Sequence, residues 1–184
     1  IGANLGYFSK LFARRNPLGK LISVEPIPIF YRRLEAVLSR YKHVELIHSA
    51  MGASSGTLYM VMPVQKGVLR TGLPHVISEE EALQIPDSIE VPVLQATNFI
   101  SAFERLDYIK CDIEGAEINF NSITKEEMEC VEQIAFEYHD VPTRVMCETK
   151  LKEWGFDYVE QFSLLDRHPD NQGVYYGWKT KFDK

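Results

Sequence analysis

The chain has 184 residues, 45% hydrophobic and 25% charged, which suits one domain with a sizeable core and excludes disorder, collagen and coiled coil as descriptions of the whole. Twenty Lys+Arg against 26 Asp+Glu leave a net charge of −6, the wrong sign for a duplex-binding surface, so no nucleic-acid partner is expected. No apolar run approaches the ~20 residues of a membrane span, and three cysteines without Cys-x-x-Cys spacing exclude a disulfide framework or zinc knuckle and point to a reducing cytoplasm.

Strand-like and helix-like stretches alternate, the pattern of a parallel sheet covered by helices. A helix is expected from about Gly6 to Arg15, with Leu5, Phe8 and Phe12 on one face, ended by the turn Asn16-Pro17-Leu18-Gly19. Leu21–Val24 is a short strand stopped by Glu25-Pro26. A second helix follows Pro28, with Phe30, Leu34, Val37, Leu38 and Tyr41 at helical spacing, and Val44–Ile47 is of strand type. Gly56–Val61 and Ile89–Val93 read as paired edge strands, because Pro92 cannot donate within a central ladder. Between them, Pro63 to Asp87 reads as irregular, with Gly67, Gly72, Pro74 and the acidic run Glu79-Glu80-Glu81. The parallel pattern resumes with strands at Asp107–Cys111 and Ile134–Tyr138. A helix from about Thr143 to Trp154 buries Met146, Cys147, Leu151 and Trp154 and stops at Gly155. Phe156–Val159 and Val174–Trp178 form a closing antiparallel pair. No repeat, low-complexity tract or linker divides the chain, so residues 1–184 are read as one domain with an irregular insertion around 63–88.

Three segments carry chemistry. Gly2-Ala3-Asn4-Leu5-Gly6 is a glycine-rich turn directly before a helix, where backbone can approach a ligand closely and helix N–H groups face an anion. By itself such a turn is often only a tight strand–helix connection. Glu25 then ends the next strand, where nucleotide-binding α/β folds place an acid that accepts from ribose hydroxyls. Lys110-Cys111-Asp112-Ile113-Glu114-Gly115-Ala116-Glu117 gathers three carboxylates and a lysine at a strand end. Alternation puts Lys110 and Asp112 on one side of that strand. Glu117 reads as a first-turn acid favoured by the helix dipole. Glu137-Tyr138-His139-Asp140 ends the following strand, and His139 is poised to titrate near neutrality.

Ile-Gly-Ala-Asn-Leu-Gly, Val24-Glu25-Pro26, Ser49-Ala50-Met51-Gly52 and the stretch Asp107–Glu117 together resemble the FkbM family of S-adenosylmethionine-dependent methyltransferases, over about Ile1 to His139. The resemblance implies a Rossmann-like class I methyltransferase sandwich: a mostly parallel seven-stranded sheet with helices on both faces and an antiparallel closing strand. In that family an acid precedes the glycine turn, so the first strand is expected upstream of Ile1. The resemblance also implies S-adenosyl-L-methionine as cofactor. Gly2, Ala3, Asn4 and Gly6 would wrap its methionine part, Glu25 and Pro26 would lie at the ribose, and Ser49 and Ala50 would border the adenine.

The reaction expected is methylation of a hydroxyl on a sugar, glycan precursor or other small metabolite. An alcohol needs a base or an acidifying cation, and the candidates are Asp112 and His139, with Lys110 orienting Asp112 or stabilising an oxyanion. A metal-dependent variant would draw on Asp112, Asp140 and His139, but no diagnostic spacing requires it and no metal is expected. The alternatives are a non-catalytic or nucleic-acid-directed S-adenosylmethionine-binding protein, and a dinucleotide-dependent oxidoreductase. The latter lacks its Gly-x-Gly-x-x-Gly fingerprint here.

Overall fold

Gly6 turns the chain at φ +81° and opens the first helix, α1 (Tyr7–Arg15), in the computed structural model of the chain, which describes residues 1–62, 64–65, 68–69, 74–162 and 172–180. These fall into two compact units, Gly2–Leu94 and Gln95–Lys184, with Ile1 grouped in the second. In the first unit α1 leads to β1 (Leu21–Val24), α2 (Pro28–Leu38) and β2 (Val44–Ile47). β1 and β2 pair in parallel, from Leu21 beside Val44 to Val24 beside Ile47. Their core is Ala13, Leu34 and Leu38, with Leu21, Val44 and Leu46 packed against it.

The inner face of α1 differs from the one expected. Phe8 is 41% exposed, whereas Ser9 and Ala13 are buried. Close approach explains this: a Cβ on Gly6 would stand 2.7 Å from Leu34 Cδ1, and Ser23 Oγ of β1 donates to Ser9 Oγ at 3.0 Å. At that separation small residues fit and a phenyl ring does not. Phe8 instead stacks on Phe12.

The unit continues with β3 (Ala50–Gly52), β4 (Gly56–Val61), β5 (Val64–Gln65), β6 (Val68–Leu69), β7 (His75–Ile77), α3 (Glu79–Ala82) and β8 (Ile89–Gln95). β5 and β6 pair with each other, and the other strands form a sheet in the order β3-β8-β4-β7. β4 and β8 do pair, antiparallel, but both lie inside the sheet rather than at its edges. Pro92 sits opposite Thr57, its carbonyl accepts from Ser49 Oγ at 2.8 Å, and β3 on the far side is only three residues long. Part of the stretch expected to be irregular is also ordered. β7 pairs with β4, and Ser78 caps α3 reciprocally with Glu81, so the acidic run occupies a first helical turn, where the dipole favours it. Positions 63, 66–67 and 70–73 of that stretch lie outside the described residues.

The second unit runs through α4 (Ala96–Ser101), β9 (Ile109–Cys111), a 3-10 helix (Ala116–Ser122), β10 (Gln133–Tyr138), α5 (Val141–Trp154), β11 (Asp157–Phe162) and β12 (Gly173–Trp178). Its sheet has the order β11-β12-β10-β9. β9 and β10 are parallel, and β12 runs antiparallel to both β10 and β11 as the closing strand. α5 buries Met146, Cys147, Leu151 and Trp154 and ends at Gly155 in the left-handed region, φ +79°. Trp154 stacks on Phe136 and donates Nε1–H to the Ile123 carbonyl at 3.0 Å. Ile1 lies strand-like alongside β9: its N donates to the Lys110 carbonyl at 2.7 Å, and its carbonyl accepts from Asp112 N at 3.3 Å. The chain is thus an α/β fold with parallel and antiparallel pairing. No helix among the described residues is long and apolar enough to cross a membrane.

Gly6 combines a left-handed backbone with the Leu34 contact, so Gly6→Ala should destabilise by at least about 1–2 kcal/mol. Gly19→Ala, whose Cβ would meet nothing nearer than 3.7 Å, should stay within about 0.5 kcal/mol. Urea denaturation of the two variants checks this; equal stability would remove the constraint at Gly6.

Candidate functional site

The glycine turn is built on positive φ angles, +74° at Gly2, +50° at Asn4 and +81° at Gly6. Gly2 N and Ala3 N both donate to the Val24 carbonyl, at 3.1 and 3.0 Å, which lays the turn over the end of β1. Glu25, the next residue, is only 3% exposed. Its Oε2 accepts from Asn4 N at 2.7 Å and its Oε1 from Ile27 N at 2.9 Å. Glu25 is therefore a core group that ties the turn to the start of α2, not the open strand-end acid that its position suggests. A carboxylate offers about four lone-pair sites. An acceptor carboxylate beside a glycine turn is the chemistry that suits ribose hydroxyls, so the residues present fit an adenosine ligand.

Beside Glu25, the Pro26 carbonyl lies 2.9 Å from His48 Nε2, and the His48 ring stacks on Tyr31 at 4.6 Å. Ser49, also buried, donates to the Pro92 and Ala50 carbonyls at 2.8 and 3.0 Å. Sequence reasoning did not single out His48 and Tyr31. The available signal was that His48 follows β2 as Glu25 follows β1, at matching ends of parallel strands.

In the second unit the register of β9 and β10 sets Lys110 beside Ala135 and Cys111 beside Phe136. Continued past the strand ends, it places Asp112 by Glu137 and Glu114 by His139. Lys110 Nζ donates to Asp112 Oδ2 at 2.6 Å. His139 Nε2 faces three carboxylates: Asp112 Oδ1 at 3.7 Å, Glu114 Oε2 at 3.6 Å and Glu137 Oε1 at 3.9 Å. On its other side, Nδ1 is buried, has no hydrogen-bond partner among the described residues, and lies 3.6 Å from Glu117 Oε1. Burial alone would lower the His139 pKa, but the carboxylates of Glu117, Glu114 and Asp112 outweigh it and push the value up to about 9. Burial and the neighbouring Asp112 charge raise the carboxyls of Glu114 and Glu137.

Glu117 is not a surface acid answering a helix dipole. It is 0% exposed and accepts from Ile113 N at 2.6 Å and Gly115 N at 2.7 Å. These bonds close a turn with φ +56° at Glu114 and +97° at Gly115. The sequence candidates Asp112, Lys110 and His139 are brought together, and Glu114, Glu117 and Glu137 join them. Glu137 was legible in principle, since strand alternation puts it on the side of His139. Asp140 is not part of the cluster: its Oδ1 caps α5 through Thr143 N at 2.7 Å. Donor atoms of Asp112, Glu114 and His139 all lie within 4.8 Å of one another.

Residues 1–158 match the family model described as the methyltransferase FkbM domain. Among curated proteins, the chain is 24% identical over 201 aligned positions to methyltransferase sdnD of Sordaria araneosa, covering 89% of this chain and 78% of that protein. Among solved structures, it is similar to a precorrin-6y C5,15-methyltransferase from Geobacter metallireducens, with TM-score 0.53 and 14% identity over 98% of this chain and 78% of that one. Aeropyrum pernix fibrillarin, solved with natively bound S-adenosyl-L-methionine, gives a TM-score of 0.50 and 12% identity over 96% and 64% of the two chains. At these identities the structural likeness shows the fold, the Rossmann-like sandwich of class I methyltransferases.

Glu117→Gln replaces one acceptor of a buried backbone amide by an NH2 group and should cost about 1–3 kcal/mol of stability. Glu114→Gln, at a partly exposed carboxylate, should stay within about 0.5 kcal/mol. Unfolding midpoints of the two variants give the comparison, and the reverse order would mean that Glu117 does not hold this turn.

Proposed function

The chain belongs to the FkbM methyltransferase family and is an S-adenosylmethionine-dependent methyltransferase, and from that premise we propose that it methylates a hydroxyl of a sugar, glycan precursor or other small metabolite. The observation that carries this reading is the strand-end cluster, where Asp112 keeps one oxygen on Lys110 and turns the other toward His139. Bound S-adenosylmethionine supplies a methyl group on a sulfonium, already activated for transfer. The protein's remaining tasks are to align the acceptor and remove its proton. Asp112 accepts that proton, and Lys110 fixes the carboxylate's orientation. His139, charged at neutral pH by its carboxylate neighbours, stabilises negative charge developing on the acceptor oxygen.

The cofactor is held by the turn Gly2-Ala3-Asn4-Leu5-Gly6, with Glu25 accepting from the ribose and Pro26, Ser49 and Ala50 lining the nucleoside. The net charge of −6 supports a small-molecule acceptor over a nucleic acid. The family match runs across both units, which supports reading them as one methyltransferase domain with an insertion around 63–88. Three free thiols, at Cys111, Cys130 and Cys147, suit a cytoplasmic location.

Calorimetry should show binding of S-adenosylhomocysteine and none of NAD. In Glu25→Gln, loss of a charge-assisted bond to ribose should weaken the former by about 1.5–3 kcal/mol, at least tenfold. Binding of NAD in place of S-adenosylhomocysteine would end the reading. Labelled methyl transfer to a panel of sugars and nucleotide sugars, run beside total RNA, tests the acceptor class. Asp112→Asn should reduce transfer at least ~100-fold with S-adenosylhomocysteine affinity retained, and labelling of RNA alone would overturn the hydroxyl-metabolite assignment.

A further inference from the structure

We propose that Asp112 Oδ1, Glu114 Oε2 and His139 Nε2 form a binding site for a first-row divalent cation, for which Mn2+ is the natural probe. The Nε2–oxygen separations of 3.6–3.7 Å are too long for hydrogen bonds. They are ion-pair separations while the ring is protonated, and they also suit donors that share an ion, because two atoms each about 2.0–2.2 Å from one metal stand about 3–4 Å apart. All three donor atoms fall within 4.8 Å of one another, with Glu137 Oε1 behind them at 3.9 Å from Nε2.

A second observation comes from the other side of the ring. His139 Nδ1 is buried without a hydrogen-bond partner among the described residues and points toward Glu117 Oε1 at 3.6 Å. A metal-binding histidine characteristically turns its other nitrogen to a carboxylate, and Glu117 stands on that side of the ring at ion-pair rather than hydrogen-bond distance. Glu117 is rigid enough for that task, since Ile113 N and Gly115 N hold both its oxygens.

Charge points the same way. Among the described residues, Lys110 supplies one positive charge against Asp112, Glu114, Glu117 and Glu137, and it engages the Asp112 oxygen that faces away from His139. The His139 proton offsets part of the excess in the metal-free protein; a divalent ion offsets more of it. One imidazole with carboxylates favours Mn2+, Fe2+ or Zn2+ over Ca2+ or Mg2+. The cation's role, replacing the His139 proton as the positive charge beside the acceptor's oxygen, rests on the methyltransferase reading, whereas its binding does not.

The test is titration of the full chain with Mn2+, following the free-ion signal by electron paramagnetic resonance. One Mn2+ per chain is expected, weakened at least ~10-fold, the low end for perturbed metal sites, in both Glu114→Gln and His139→Gln. Glu80→Gln, a remote acid in the first turn of α3, should bind as the wild type does. Circular dichroism verifies folding, and Glu114→Gln decides the matter if His139→Gln proves unstable. Absence of Mn2+ binding at millimolar concentration, or equal binding by Glu114→Gln and wild type, overturns the site. S-adenosylhomocysteine calorimetry on the same samples tests the methyltransferase reading separately.

Discussion

A carboxyl group taken out of water has to find hydrogen-bond donors or be destabilising, and Glu25 and Glu117 meet that requirement in the same way. Each is almost fully buried, Glu25 directly after β1 and Glu117 in the first turn of the 3-10 helix that follows β9. Each accepts from two backbone amides: Asn4 of the glycine turn and Ile27 at the start of α2 for Glu25, Ile113 and Gly115 of one turn for Glu117. The turns they hold are the ones in which the chain leaves ordinary backbone space. Among the described residues, the non-glycine positions with positive φ are Asn4 and Glu114, one in each turn. Backbone strain of this kind persists where surrounding structure over-determines it, and here two buried acids do the determining.

The consequence for chemistry is preorganisation. With Asn4 N committed to Glu25 and Gly2 N and Ala3 N to the Val24 carbonyl, the glycine turn keeps its curvature without a ligand to mould it. With its amides committed to Glu117, the second turn holds Glu114 facing the imidazole. A substitution at Glu25 therefore acts on the turn itself, through its bonds to Asn4 N and Ile27 N.

Local chemistry made the order of motifs legible in the sequence. The glycine turn, the acid after β1, the Lys110–Glu117 segment and α5 with its Gly155 stop each depend on a few neighbouring residues. What escaped depends on contacts between distant ones. Phe8 had the hydrophobicity for an inner face, yet the approach of α1 to Leu34 selects Ser9 and Ala13. Pro92 has no donor, yet its carbonyl finds Ser49 and its strand lies inside a sheet. The depth of Glu25 and Glu117 could not be read either, because a buried acid and an exposed one look alike until their amide partners are known.

The polar cluster is a product of register. Lys110 and Asp112 share one side of β9, while Cys111 between them turns to the other, where it is fully buried and burial drives its thiol pKa well upward. Phe136, its partner on β10, is buried as well and stacks on Trp154. A one-residue slip of either strand would exchange these faces: it would bring a lysine and an aspartate against Trp154 and expose Cys111 and Phe136 to water. The cost of burying an unpaired charge far exceeds that of losing one polar contact. The apolar side of the sheet therefore enforces the alignment that collects Asp112, Glu114, Glu137 and His139 at one strand end.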